Sequence, residues 1–226
     1  MLSFDPPLIE GRFVSRYKRF FAEIRCGSEV VIAHCANTGR MTGLLVPDAR
    51  VWMRPQPADR KLKFAWELVE INGERACVNT ARANQILANA SVGEWMPGAR
   101  WVQREPRVGS HRFDALLDRE GNQVFVEVKS VTLCEDGVGY FPDAPSVRAI
   151  EHLNLLIELA TQGIETHLIF MAMHTGVQQI EPARGISPEF AERCAVAADA
   201  GVSIRGLSVA ISPERLQLGS TCPVVL

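Results

Sequence analysis

The sequence has no apolar stretch near the roughly 20 residues a helix needs to cross a bilayer. It also has no CxxC pair, no internal repeat and no low-complexity tract. The first absence argues against a membrane helix. The opening residues, MLSFDPPLIEGR, lack the basic segment followed by an apolar run that marks a secretion leader, so a cytoplasmic location is expected. The six cysteines, Cys26, Cys35, Cys77, Cys134, Cys194 and Cys222, are scattered with no close Cys/His pairing. Metal clusters and dithiol redox sites need tight local spacing, which leaves free thiols packed as small hydrophobes. Strong charge of one sign is missing too. The net charge of −2 argues against a broadly basic nucleic-acid binder.

The charge is nevertheless unevenly placed. Residues 1–63 hold 11 Lys and Arg against 6 Asp and Glu, a net +5, whereas the remainder holds 13 against 20, a net −7. A basic first part suits phosphate contacts, and an acidic remainder can concentrate carboxylates for a metal. With 226 residues, 47% hydrophobic and 22% charged, the chain has the composition of a globular protein with one large domain or two modest ones.

The first 80 residues read as short strands broken by turns: Gly11–Arg16, Arg19–Arg25, Val30–His34, Arg50–Arg54, Lys63–Ile71 and Arg75–Val78. Asn72-Gly73 between the last two is a hairpin signal. So many short strands in so little chain suggest a small barrel, with an OB-type barrel as the candidate. From Thr80–Ala90 the composition turns helical. Strands are expected at Arg100–Arg107, Arg112–Asp118 and Gln123–Val131, and an amphipathic helix at Ser146–Gln162 with Ser146 as N-cap and Gly163 as stop. Thr166–Met173 reads as a strand covered on both faces, Pro188–Ala200 as a helix and Val202–Ile211 as a last strand. The expected architecture is α+β or α/β, with residues 1–80 forming a basic OB-like β-barrel and residues 81–226 a mixed sheet flanked by helices.

The sharpest chemical signal is RFDALLDREGNQVFVEVKSVTL, residues 112–133. With a period of two, Val124, Val126 and Val128 face the covered side, and Glu127 and Lys129 share the other. A hairpin turning at Glu120-Gly121 sets Asp114 opposite Glu127. Two carboxylates offer hard oxygen ligands to Mg²⁺ or Mn²⁺, the carbonyl of Val128 lies between the two side chains, and Lys129 is placed to orient a water or stabilise developing charge. Glu105, on the preceding strand, is a further candidate carboxylate. The plain alternative is a salt bridge from Lys129 to Asp114 or Glu127 on a solvated sheet face. In the following helix, Arg148 and His152 lie on one face at i, i+4. Arg16-Tyr17-Lys18-Arg19-Phe20 interleaves basic and aromatic side chains, a mixture suited to phosphate contact and base stacking; the alternative is a strand with a basic face and core aromatics. The loop Asn37–Gly43 presents Arg40 and backbone N–H groups to a phosphate, or is simply a tight turn.

The motifs RYKRF (16–20), HCANTGRMTGLL (34–45), WEL (66–68), CVNT (77–80), RFDALL (112–117), EVKSVTL (127–133) and GYFPDAPSVRAIEHL (139–153) resemble the sugar fermentation stimulation protein A family nearly end to end. The resemblance implies an N-terminal OB-like barrel and a C-terminal domain of the PD-(D/E)xK nuclease type. It also implies DNA binding and a role in regulating sugar (maltose) metabolism genes. The nuclease motif falls on Asp114, Glu127 and Lys129, with Glu105 as its additional carboxylate, and Arg16, Lys18, Arg19, Arg40, Arg148 and His152 are the candidate DNA contacts. One departure is Ala36 where the family often has proline after His-Cys; it does not touch the site. Family membership does not establish hydrolysis, because function lives in the site rather than the fold. The readings carried forward are a DNA-binding protein with a Mg²⁺-dependent nuclease site, a DNA-binding regulator that does not cut, a hydrolase of RNA or another phosphodiester, and a protein related to nucleases by architecture alone. A homodimer is compatible with the sequence.

Overall fold

Alternating apolar residues and left-handed turns shape the first part of the chain, seen in a computed structural model that describes residues 1–109 and 111–226. After a two-residue strand β1 (Leu2–Ser3) come β2 (Ile9–Tyr17), β3 (Phe21–Cys26), β4 (Glu29–His34), β5 (Arg50–Pro55), β6 (Phe64–Ile71) and β7 (Glu74–Cys77). Asn72 and Gly73, both at positive φ, make the hairpin between β6 and β7. Strands β2 to β6 run in the order β4-β3-β2-β5-β6, and a parallel pairing of β4 with β6 closes the ring into a five-stranded barrel. Its interior is filled by Phe13, Ile24, Met53, Trp66 and Val69, with Phe13 stacked on Trp66 at 5.1 Å between ring centroids.

The second part begins with α1 (Ala81–Asn89) and α2 (Val92–Trp95). It continues through β8 (Ala99–Arg104), β9 (Arg107–Val108), β10 (His111–Arg112), β11 (Ala115–Arg119), β12 (Asn122–Val131), β13 (Leu133–Glu135) and β14 (Val138–Phe141). Then follow α3 (Val147–Thr161), β15 (Glu165–Ala172), β16 (Gln179–Pro182), α4 (Pro188–Asp199), β17 (Ser203–Ile211) and β18 (Arg215–Cys222). Seven strands form one mixed sheet, ordered β1-β18-β17-β15-β12-β11-β8. Its centre, β12-β15-β17, is parallel and its flanks are antiparallel. The OB-like barrel and the helix-flanked mixed sheet expected from the sequence are both present.

Two differences from the expected elements bear on the site. The strand expected over Arg112–Asp118 is broken at Phe113-Asp114, where the Asp114 N–H still donates to the Val126 carbonyl at 3.1 Å while its carboxylate accepts the Val128 N–H at 2.7 Å. The face of β12 carrying Glu127 and Lys129 is also covered rather than solvated. Phe125 and Val131 flank the charged pair on that face and pack with Ala149, Leu153 and Leu156 of α3, while Val124 and Val126 pack on the opposite face with Ile86 and Leu87 of α1.

Barrel and sheet share a core. Trp52, Leu68 and Cys77 of the barrel belong to the same apolar cluster as α1 and the sheet residues Ile169 and Met171. Strand β7 continues this contact through backbone bonds, Cys77 N–H to the Met173 carbonyl at 2.9 Å and Thr175 N–H to the Arg75 carbonyl at 2.8 Å. At the junction stands Glu67, 0% exposed. Its carboxylate accepts from Arg54 on β5, from Asn79 in the connection and twice from Arg82 on α1, at 2.6–3.1 Å. A buried carboxylate is tolerated only when so fully paired, and removing one member leaves the others uncompensated. Replacing Glu67 by Ala is therefore expected to cost about 3–5 kcal/mol of stability in urea unfolding; a loss under about 1 kcal/mol would show that this cluster does not join the two parts.

Candidate functional site

Where β11 begins and β12 crosses it, the register pairs Ala115 with Val126, which sets Asp114 across from Glu127. Beyond that point β11 no longer accompanies β12. The N–H of Val128 therefore goes to the Asp114 carboxylate, and its carbonyl, pointing to the same edge, is left by the departed strand. The other Asp114 oxygen accepts from the Asn84 amide of α1 at 2.5 Å. Glu127 is buried. Its Oε1 takes both Lys129 Nζ at 2.6 Å and His152 Nδ1 at 2.5 Å. Its Oε2 is enclosed without a hydrogen-bond partner, and so is the Asn84 side-chain oxygen.

All of these groups except His152 line a cavity of about 510 Å³ between the two parts of the chain. From the barrel come Arg19, Asn37, Thr38 and Gly39; from the second part come the start of α1, residues 127–130 of β12, the loop from Tyr140 to Ser146, and Arg148. The barrel loop touches its opposite wall. Met41 N–H donates to the Asp143 carboxylate at 2.9 Å, and Gly39 lies so close to that carboxylate that an added Cβ would meet it at 2.4 Å. A side chain at this position would have to push the Asp143 carboxylate off the Met41 N–H. The N-cap Ser146 accepts the Ala149 N–H and starts α3 at the cavity edge, as its sequence position predicted.

The structure sorts the candidate residues. Asp114, Glu127, Val128 and Lys129 are together. Glu105 is not with them: its backbone sits at φ 50°, and its side chain is 60% exposed and paired with Arg112. His152, expected as a DNA contact, is buried behind Glu127 and holds that carboxylate instead. Arg16, also expected to meet DNA, spends its guanidinium on the carbonyls of Arg19, Asn37 and Gly39 and so shapes the loop. Lys18, Arg19, Arg40 and Arg148 are exposed. Asn84 was missed. Its signal in the sequence is faint, a weak helix former inside a nine-residue helix.

Burial pushes both carboxylates upward, but their neighbours give opposite net results. Asp114 is pushed up to about 6, first by burial and then by the negative charge of Glu127, against the Val128 N–H, Lys129 and Asn84. For Glu127 burial also acts upward, but the charge and hydrogen bonds of Lys129 and His152 outweigh it and hold the carboxyl below its ordinary range. Among the described residues no group of three or more His, Cys, Asp or Glu forms a metal cage. The donor set is instead two carboxylates, one main-chain carbonyl and one amide oxygen, two of whose oxygens are buried without partners. That set fits a hard cation that keeps some waters or takes substrate oxygens, and the unpartnered Glu127 oxygen is the atom that needs one.

The Asp114 shift makes a stability prediction. The folded protein holds a proton there between the ordinary carboxylate range and pH about 6, where the unfolded chain has already released it. Stability without divalent ions therefore falls as pH rises through that window. Asp114→Asn removes the buried charge, so at pH 8 it is expected to be more stable than the parent by up to about 3 kcal/mol, with the gap closing near pH 4. Urea unfolding across this pH range measures it, and an Asn variant less stable at pH 8 would contradict it.

Comparison with known proteins agrees with this architecture. Residues 14–78 match the family model described as the SfsA N-terminal OB domain, and residues 78–215 match the sugar fermentation stimulation protein RE domain. A sugar fermentation stimulation protein homolog of Alteromonas mediterranea is 38% identical, with 100% of both chains covered. The homolog of Shewanella loihica is 40% identical over 99% of each. The structure of Pyrococcus furiosus SfsA in complex with Ca²⁺ superposes with a TM-score of 0.90 at 30% identity, covering 97% of this chain and 96% of that one. An OB-type barrel joined to a helix-flanked mixed-sheet domain, with matches along nearly its whole length, places this chain in the sugar fermentation stimulation protein family.

Proposed function

We propose that this protein binds DNA across the cavity between barrel and sheet, and that Asp114, Glu127 and Lys129 form a divalent-cation-dependent phosphodiester hydrolase site there. The observation that carries the reading is the buried, unpartnered Oε2 of Glu127 beside Asp114, with Lys129 fixed on the other oxygen. Asp114, Glu127 and the Val128 carbonyl would hold Mg²⁺ or Mn²⁺. Bound there, the cation polarises a phosphoryl group and lowers the pKa of a water. The Ca²⁺ complex of the Pyrococcus furiosus relative supports divalent binding at some site in the family.

The chain's own groups do the rest. Asn84 and the Val128 N–H orient Asp114, and His152 with Lys129 orients Glu127, so both carboxylates are set before substrate arrives. Lys129, within hydrogen-bond reach of Glu127, can hold an attacking water or stabilise the charge that develops on the phosphoryl oxygens. Arg19 and Arg40 are exposed and placed to meet backbone phosphates, Lys18 adds charge at the same end of the barrel, and Arg148 is exposed at the cavity edge while its Nε donates to His152 Nε2 at 3.5 Å. A role in regulating sugar (maltose) metabolism genes is a use to which DNA binding by this fold can be put, and it does not require cutting.

Incubation of labelled DNA with the protein and Mg²⁺ or Mn²⁺ tests the catalytic part. Cleavage that is lost on chelation and falls at least about 100-fold in Glu127→Ala and in Lys129→Ala, with DNA binding kept, is expected. Salt-dependent binding with no cleavage under either metal would leave the non-cutting regulator. Cleavage unchanged in both variants would remove these residues from the chemistry.

A further inference from the structure

Strands β2 and β3 are joined at Tyr17 and Phe21, and their connection, Lys18-Arg19-Phe20, projects at the cavity mouth. Lys18 and Arg19 both sit at positive φ, 48° and 61°, an unfavourable conformation for residues with a Cβ. The turn presents an unusual surface. Tyr17 and Phe20 are 37% and 46% exposed, flanked by the exposed cations of Lys18 and Arg19. The Tyr17 ring is supported from behind by Phe21, stacked at 5.3 Å and 16°. Arg19, within the same turn, lines the cavity that holds Asp114 and Glu127.

Exposed aromatic faces beside cations bind nucleic acid by base stacking together with phosphate contact. A duplex keeps its base faces covered by stacking and offers them only at an unstacking cost. The cavity also constrains what reaches the carboxylates. It is bridged where the barrel loop meets the second part, through the Met41 N–H on the Asp143 carboxylate at 2.9 Å. Resting on the nucleic-acid reading above, we infer that the substrate is a nucleic acid with an unpaired segment. A single strand stacks its bases on Tyr17 and Phe20, contacts Lys18 and Arg19 through its phosphates, and leads one phosphodiester into the cavity.

The test uses the full-length protein without divalent ions, so that binding is read apart from cleavage. Fluorescence anisotropy at matched salt compares a single-stranded oligonucleotide, a blunt duplex of the same sequence and length, and that duplex with a single-stranded overhang. The probe variants are Tyr17→Leu and Phe20→Leu, which keep apolar bulk but remove the ring; thermal melting checks their folding. The single strand and the overhang are expected to bind at least about 10-fold more tightly than the blunt duplex. Each Leu variant is expected to lose about 5- to 150-fold on the unpaired substrates, with little change on the blunt duplex and an unaltered salt slope. Blunt duplex bound as tightly as single strand would overturn the inference, as would Leu variants that weaken all three substrates equally or none. Either result leaves the nucleic-acid reading standing. Only the absence of salt-dependent binding to all three substrates would remove both.

Discussion

Glu127 is an ionised carboxylate inside a sheet face covered by a helix, and the arrangement around it follows from that burial. A lone charge in such a place is too costly to persist, so Lys129 from the same strand and His152 from α3 both bind its Oε1. Their attraction outweighs desolvation and holds Glu127 charged. The price of this compensation is asymmetry: one oxygen has two partners and the other has none. Asp114, close enough for the Glu127 charge to raise its own affinity for protons, supplies the second negative group. Two carboxylates that repel each other at one cavity, one of them with an unpartnered buried oxygen, are in a state that a cation would relieve.

The barrel takes part in holding this state. Glu67 ties α1 to the barrel through Arg82, and α1 in turn supplies the Asn84 amide to Asp114. On the opposite side of the cavity the loop shaped by Arg16 is fastened to Asp143. The shared apolar cluster of Trp52, Leu68, α1 and the sheet makes these polar contacts part of a continuous core. The two family domains that meet at residue 78 therefore build one cavity between them.

Much of this was legible in the sequence, and for reasons that can be named. The alternation in β12 and the turn at Glu120-Gly121 were enough to set Asp114 across from Glu127, because hairpin register follows from period and turn length. Ser146 and Gly163 bounded α3 correctly through their capping chemistry. What was not legible lay in side-chain direction and in contacts distant along the chain. Glu105 occupies a plausible strand position, but a left-handed backbone turns it out of the site. His152 and Arg148 share a helix face in the sequence, yet one is buried against Glu127 and the other is exposed. Arg16 looked like any basic residue beside an aromatic; only the folded loop shows that three carbonyls consume it. Asn84 lies 30 residues from Asp114, and no local pattern connects them.

The central claim is that the Asp114–Glu127 pair is a cation site preset by Lys129, His152 and Asn84. Anomalous scattering from Mn²⁺ in crystals of the full chain tests it most directly. The account predicts a single strong peak within about 2.0–2.3 Å of Asp114 and of Glu127 Oε2, with Lys129 and His152 still on Oε1. A peak only at other surface carboxylates, or a Glu127 that must break from His152 and Lys129 before any metal enters, would contradict it.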